Sequence, residues 1–283
     1  MAGFFGLFDY TKHGPGVPKD GPPKPRIKVF FEILGRKFWN LMRLNLLFCL
    51  FNIPAIITMI YIVNSFYFRK MLSDSIFIDF VLKFAFGSIF LCIPLITIGP
   101  AQAGFTYVLR NYAREEHAFI WWDFKENTLK NMKQGLIVSI IDLFIILVIG
   151  LDINIYITMG KDNGNIFFTL ASGFLILAFI TYIMMHMYIY PMMVTFKLSI
   201  KQIYKNALIF ALIGFLPNLG ILVICALILG ITFLIYPPIG IILFPLITMS
   251  LIGLITNFFV YPKLKKYMID KAENTGKNAV VQE

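Results

Sequence analysis

The stretch that decides the fold is residues 93–133, IPLITIGPAQAGFTYVLRNYAREEHAFIWWDFKENTLKNMK, the one long polar-containing segment between apolar runs. Gly99-Pro100 ends the run before it, glycine suiting a helix C′ position and proline a first helical turn. Beyond it, Phe105, Val108, Leu109 and Tyr112 recur at helical spacing, opposite Arg110 and Arg114. Phe119-Ile120-Trp121-Trp122 follows, an aromatic cluster of the kind that sits at headgroup level. Asp123 and Glu126 have capping-box spacing and predict a second helix over Phe124–Lys133. The segment thus reads as two short helices lying on a membrane face.

Working outward, apolar runs surround this segment on both sides. A chain of 283 residues, 59% hydrophobic and 14% charged, with mean hydropathy +0.79, has more apolar surface than one soluble core can hide. Six runs are long enough to cross about 30 Å of hydrocarbon: 44–66, 76–98, 135–158, 165–190, 207–236 and 239–261. The first is expected to break at Asn52-Ile53-Pro54, and the fifth to kink at Pro217-Asn218 or turn back there as a re-entrant segment. Before them, residues 27–43 read as an amphipathic interfacial helix, with Ile27, Phe30, Phe31, Leu34, Phe38 and Leu41 on one face. The expected architecture is an all-α polytopic bundle in three parts: a Pro/Gly-rich tail with its amphipathic helix (1–43), a six-span domain (44–261) and a basic tail (262–283).

The net charge of +10 suggests a nucleic-acid partner only until the charges are placed. Of the 25 Lys and Arg residues, twenty-one fall on one set of alternate connections and three on the other, with Lys83 inside a run. That bias is the positive-inside pattern, with both termini cytoplasmic and no nucleic acid expected. Cys49, Cys92 and Cys225 lie far apart within the runs and read as small apolar residues. No cleavable leader is expected, since the apolar stretch Met1–Phe8 is short and no basic residue precedes it.

Ionisable residues inside spans are the default functional candidates. Asp79 and Lys83 stand one helical turn apart and can pair, or form part of a substrate site. Asp142 and His186 fall at similar depth if the third and fourth spans are antiparallel neighbours, which allows a polar latch or a proton-sensitive contact. Asn52, Asn218 and Asn257 are expected to bond neighbouring helices or the backbone loosened near Pro54 and Pro217. Catalysis lacks a constellation: Glu115 and Glu116 are adjacent and point to different faces, and His13, His117 and His186 are scattered. No zinc motif, nucleophile elbow or phosphate loop is present, so no cofactor, metal or enzymatic activity is expected.

Several stretches together resemble one family. Leu91-Cys92-Ile93-Pro94-Leu95-Ile96-Thr97-Ile98-Gly99-Pro100-Ala101, then Tyr107-Val108-Leu109-Arg110, Arg114-Glu115-Glu116 and Asp123-Phe124, are similar to the pattern of the YesL family of bacterial membrane proteins. The entry Phe38-Trp39-Asn40-Leu41-Met42-Arg43-Leu44-Asn45-Leu46-Leu47 is similar too, although here residues 53–91 are interposed before the signature. The resemblance marks Thr97, Gly99, Pro100, Arg110, Glu115 and Glu116 as signature positions. It implies a bacterial cell-membrane protein encoded beside oligosaccharide importers of the ATP-binding-cassette type and sugar-sensing two-component systems. It supplies no catalytic residues, and the chain lacks the coupling-loop motif of importer permeases.

Three functions follow as expectations. The first is a non-enzymatic accessory or regulatory subunit that contacts lipid and docks on importer permease and ATPase subunits through Phe105, Tyr112, Phe119, Trp121, Trp122, Asp123 and Phe124. The second is an independent carrier of a small solute. The third is a membrane regulator of a sensor kinase.

Overall fold

A computed structural model describes residues 24–63, 98–163, 165–234 and 237–270. The expected second span, with Asp79, Lys83, Cys92 and Thr97, lies outside the described residues, as do most of both tails. Every regular element described is helical. In order they are α1 (Arg26–Val63), α2 (98–113), α3 (Ile120–Lys130), α4 (Met132–Asn163), α5 (Ile166–Met193), α6 (Ile200–Ile213), α7 (Phe215–Leu234), α8 (Pro237–Leu243) and α9 (Met249–Leu264). Short π-helical turns, Phe244–Thr248 and Lys265–Ile269, flank α9. Four stretches of the described chain have the length and apolarity to cross a membrane: Met132–Lys161, Ile166–Met193, Phe215–Thr232 and Phe244–Ile269. Their flanks carry exposed Ile, Leu and Phe, among them Phe144, Phe174 and Ile231, as surfaces facing lipid do.

The first correction concerns α1. The amphipathic helix and the first span are one helix of 38 residues that runs through Pro54 without a break. Proline removes one backbone donor, and Asn52, two residues before it, donates its carboxamide to the Phe48 carbonyl at 2.8 Å, inside the same helix. The buried stripe is also rotated from the expected one. Ile33, Leu41, Leu44 and Phe48 are covered, whereas Ile27 and Phe31 are exposed. Arg26 closes the first turn of α1 onto α9, donating to the Phe258 carbonyl and standing over its ring at 4.8 Å.

The second correction concerns α2. It is not a helix lying on a membrane face but the most enclosed element described, buried from Gly99 to Ala113 except for Gln102 and Tyr107. Glycine makes the enclosure possible. A Cβ on Gly99 would fall 2.1 Å from the Gly135 carbonyl oxygen of α4, and one on Gly104 would fall 2.3 Å from the Phe124 carbonyl oxygen of α3. Opposite, a Cβ on Gly253 of α9 would meet Leu109 Cδ1 at 2.4 Å. Three helices therefore press on α2 with backbone at close approach, the small-residue packing that works in lipid, where apolar side chains gain little from leaving the solvent.

The end of α2 is held by backbone geometry. Glu115 has φ of 63°, the left-handed conformation of a helix C′ residue. Glu116 N donates to the Asn111 carbonyl at 2.8 Å and Glu115 N to the Tyr112 carbonyl at 3.0 Å, the paired bonds of a Schellman turn.

The third correction concerns the expected fifth span, which is two helices that meet at Gly214. Ser199 and Gln202 form a capping box that starts α6, and α6 buries Ile203, Ala207 and Ala211. Pro217 falls in the first turn of α7, where its missing N–H costs nothing. In the last membrane helix, Asn45 of α1 donates to the Phe244 carbonyl and accepts from Ser250 N, both at 2.8 Å, stitching α1 to the widened π turn.

Substituting Gly104 by alanine should lower stability by about 1–3 kcal/mol through overpacking against α3. Gly35 and Gly173, which have nothing within 4 Å of an added Cβ, should accept alanine at no loss or with a gain of up to about 1 kcal/mol. Thermal unfolding in nanodiscs reads both, and equal effects at the three sites would contradict the close approach.

Candidate functional site

The polar groups of the bundle gather in three nodes around α5. The first is at its C-terminal end. Arg110 of α2 is 5% exposed and sends Nη1 to the Val194 carbonyl at 2.7 Å and to Thr195 Oγ1 at 3.3 Å. Its Nε and Nη2 both reach Asn111 Oδ1, at 3.1 and 2.9 Å, and its plane lies over the Tyr107 ring at 4.3 Å. The cation thus faces the carbonyl end of a helix, where the dipole favours it. Burial, with Arg114 nearby, brings the guanidinium down to about 10. Arg110 is still charged at physiological pH, and its folded-state penalty would be relieved only as pH rises through that value.

The second node is the Asp142–His186 contact that the sequence allowed. His186 Nε2 stands 3.0 Å from Asp142 Oδ1. Two further groups converge on the same oxygen: the Tyr182 hydroxyl, a close donor one helical turn before His186, and the Tyr204 hydroxyl of α6 at 3.4 Å. Three helices therefore share one carboxylate oxygen. Asp142 and His186 are each less than one-third exposed, so the node borders the lipid-facing surface without being sealed from it.

The third node was not visible in the sequence as a site. Lys263 of α9 donates to the Tyr188 hydroxyl of α5 and to Asn218 Oδ1 of α7, both at 2.9 Å, and stands 3.9 Å from the Phe259 ring centroid. The Tyr188 hydroxyl donates to Asn218 Oδ1 at 2.6 Å. Asn218 Nδ2 in turn reaches the Phe210 and Ala211 carbonyls, at 3.0 and 3.2 Å, beside the break at Gly214, whose own N–H donates to the Phe210 carbonyl at 3.2 Å. This is the role expected for Asn218 near Pro217. Asn257, by contrast, bonds its own helix, donating to the Gly253 carbonyl at 2.8 Å.

Between α2, α5, α7 and α9 lies a cavity of about 230 Å³ with mostly apolar walls, bordered by His186 and Asn257. Among the described residues no group of three or more His, Cys, Asp or Glu is placed to hold a metal ion.

The expected docking residues divide in two. Phe105, Tyr112 and Phe124 are fully buried and pack α2 against its neighbours, so they are not surface. Phe119, Trp121 and Trp122 are exposed, at 64%, 49% and 67%. Asp123 accepts from Phe119 N at 2.8 Å, so α3 starts four residues earlier than the capping-box spacing indicated, at Ile120. Glu115 pairs with Arg36 of α1 at 3.3 Å and Glu116 with Arg114 at 3.8 Å, exposed contacts at a turn that do not bring the two carboxylates onto a shared site.

Residues 36–153 match the model of a family described as a protein of unknown function, DUF624. The matched part takes in Gly99, Arg110, Glu115 and Asp142, but not His186 or Lys263. No curated protein and no solved structure matches the chain.

Arg110→Gln removes a charged donor from the buried Val194 carbonyl and should lower stability by about 2–3 kcal/mol, read as a fall in the unfolding midpoint. Asp142→Ala takes the acceptor from three donors. At the roughly 0.6 kcal/mol typical of one polar bond in lipid, it should cost about 2 kcal/mol. Asp142→Asn should cost less, and no change in either variant would dismiss the node.

Proposed function

We propose that the protein is a non-enzymatic membrane subunit that serves a bacterial oligosaccharide importer of the ATP-binding-cassette type, docking on its permease or ATPase subunits. The resemblance of residues 91–124 to the YesL pattern supplies the importer. The positive-inside bias supports a bacterial cell membrane with both termini cytoplasmic.

The observation that carries docking is the aromatic ridge on α3. Phe119, Trp121 and Trp122 project from a helix whose other face is locked by Phe124, Asn127 and Thr128. A rigid helix with unburied tryptophan presents a contact surface at small entropic cost, and Trp is enriched where binding energy concentrates. An aromatic belt at headgroup level is the competing use of the same residues.

A sugar carrier fits less well. The surface that the cavity between α2, α5, α7 and α9 presents is mostly apolar and no Lys, Arg, Asp or Glu lines it, whereas a sugar needs a partner for each hydroxyl that it strips of water.

Full-length protein pulled from its native membrane in mild detergent should bring importer subunits with it, identified by mass spectrometry. The Trp121→Ala/Trp122→Ala double variant should lower their recovery at least tenfold with an unchanged unfolding midpoint, as loss of a hot spot worth about 2 kcal/mol requires. Recovery of a sensor kinase instead would shift the reading to signalling. Equal recovery with both variants, or of the protein alone, would overturn docking by this ridge.

A further inference from the structure

We propose that the pocket between the end of α3, the first turn of α4 and the α5–α6 connection binds the phosphate-bearing headgroup of an anionic phospholipid. The site is independent of the importer reading.

The pocket has a volume of about 470 Å³. Lys130 of α3, Lys133 of α4 and Lys197 of the α5–α6 connection line it, and no Asp or Glu does. The surface that it presents is more polar than apolar. Among the described residues, none of the ion pairs takes Lys133 or Lys197. Three lysines from three elements thus share one opening without a counter-charge in its walls. A positive-inside bias places lysines on connections, but it does not gather them around one pocket. Two bonds hold the supports in place. Gln134 Nε2 donates to the Leu198 carbonyl at 2.8 Å, tying the α5–α6 connection to α4. Asn131 Nδ2 donates to the Asn127 carbonyl at 3.0 Å, fixing the end of α3.

The surroundings of the pocket select a lipid over a soluble anion. The membrane-length stretch of α4 begins at Met132 and that of α5 ends at Met193, so the pocket lies where both helices leave hydrocarbon. Lys133, Ile137, Ile140 and Phe144 recur at i, i+4, i+7 and i+11 on one face of α4. The three apolar members are exposed. A cation therefore heads an apolar stripe, the order that a phosphate followed by an acyl chain requires. A zwitterionic headgroup would bring its own ammonium among three lysines, whereas an anionic one brings only the charge that the walls lack.

Full-length protein is placed in phosphatidylcholine nanodiscs with a rising share of phosphatidylglycerol. The unfolding midpoint is followed, and the lipids retained are identified by native mass spectrometry. The wild type should gain in midpoint with phosphatidylglycerol and retain it in preference to phosphatidylcholine. A lysine at a membrane surface is worth about a fivefold change in affinity. Lys133→Gln/Lys197→Gln should therefore weaken retention at least about tenfold and lose the midpoint gain, with an unchanged midpoint in phosphatidylcholine alone. Lys265→Gln/Lys266→Gln, which removes the same charge from exposed lysines outside the pocket, should behave as the wild type. Equal loss in both double variants would show general attraction to an anionic surface and overturn the inference. So would a gain from inorganic phosphate in phosphatidylcholine discs equal to that from phosphatidylglycerol, which would assign the pocket to a soluble anion. Absence of any lipid preference in the wild type would overturn it too. Raised salt should shrink the wild-type preference, and a preference indifferent to salt would overturn the inference even if the pocket variant does not fold.

Discussion

A buried cation without a buried carboxylate to match it organises the described bundle. Arg110 is held by the carbonyl end of α5, the Thr195 hydroxyl, the Asn111 carboxamide and the Tyr107 ring. Removing a guanidinium from water is tolerable only if its donors are met and its charge faces something negative. A helix C-terminus meets both conditions, but only if α2 lies within reach of the end of α5. The Gly99, Gly104 and Gly253 approaches bring α2 that close to its other neighbours. Glycine packing and arginine capping are thus one constraint seen from two sides.

α5 is the axis about which the rest is arranged. Its Tyr182 and His186 reach Asp142 and Tyr204 on one side, while Tyr188 meets Lys263 and Asn218 on another. Each node ties α5 to other helices, and each consists of groups too polar to leave facing lipid. The broken helices follow the same logic. The carbonyls beside the break at Gly214 are met by Asn218, and the π turn at Phe244–Thr248 is met by Asn45. In a hydrocarbon surround, backbone irregularity persists only where a side chain closes it.

The helical membrane class was legible because the apolar runs are long and the basic residues are segregated. Asp142 with His186 was legible for a related reason: two ionisable residues in adjacent spans leave few other partners at their depth. The position of α2 was not. Its sequence alternates apolar residues with Arg110, Asn111 and Arg114 as a surface helix does, and periodicity does not distinguish an arginine in water from one that caps a buried helix end. The glycines were the available signal, since Gly99, Gly104 and Gly135 mark close crossings, but a glycine names no partner. Lys263 was hidden for the opposite reason. It follows an apolar run among other lysines and reads as part of a basic tail, yet it turns back to Tyr188 and Asn218.

The continuity of α1 has a mechanical consequence. At about 1.5 Å per residue, its 38 residues make a rod of roughly 57 Å, nearly twice the hydrocarbon thickness. A rod cannot cross the bilayer and also lie flat upon it, so a crossing by its apolar half would hold its charged half out of the membrane. Load applied near Arg26, whether by a partner or by the tail that precedes it, is carried along the shaft without a joint. Because Arg26 is also fastened to α9 at Phe258, that load is shared by the first and last described helices of the bundle.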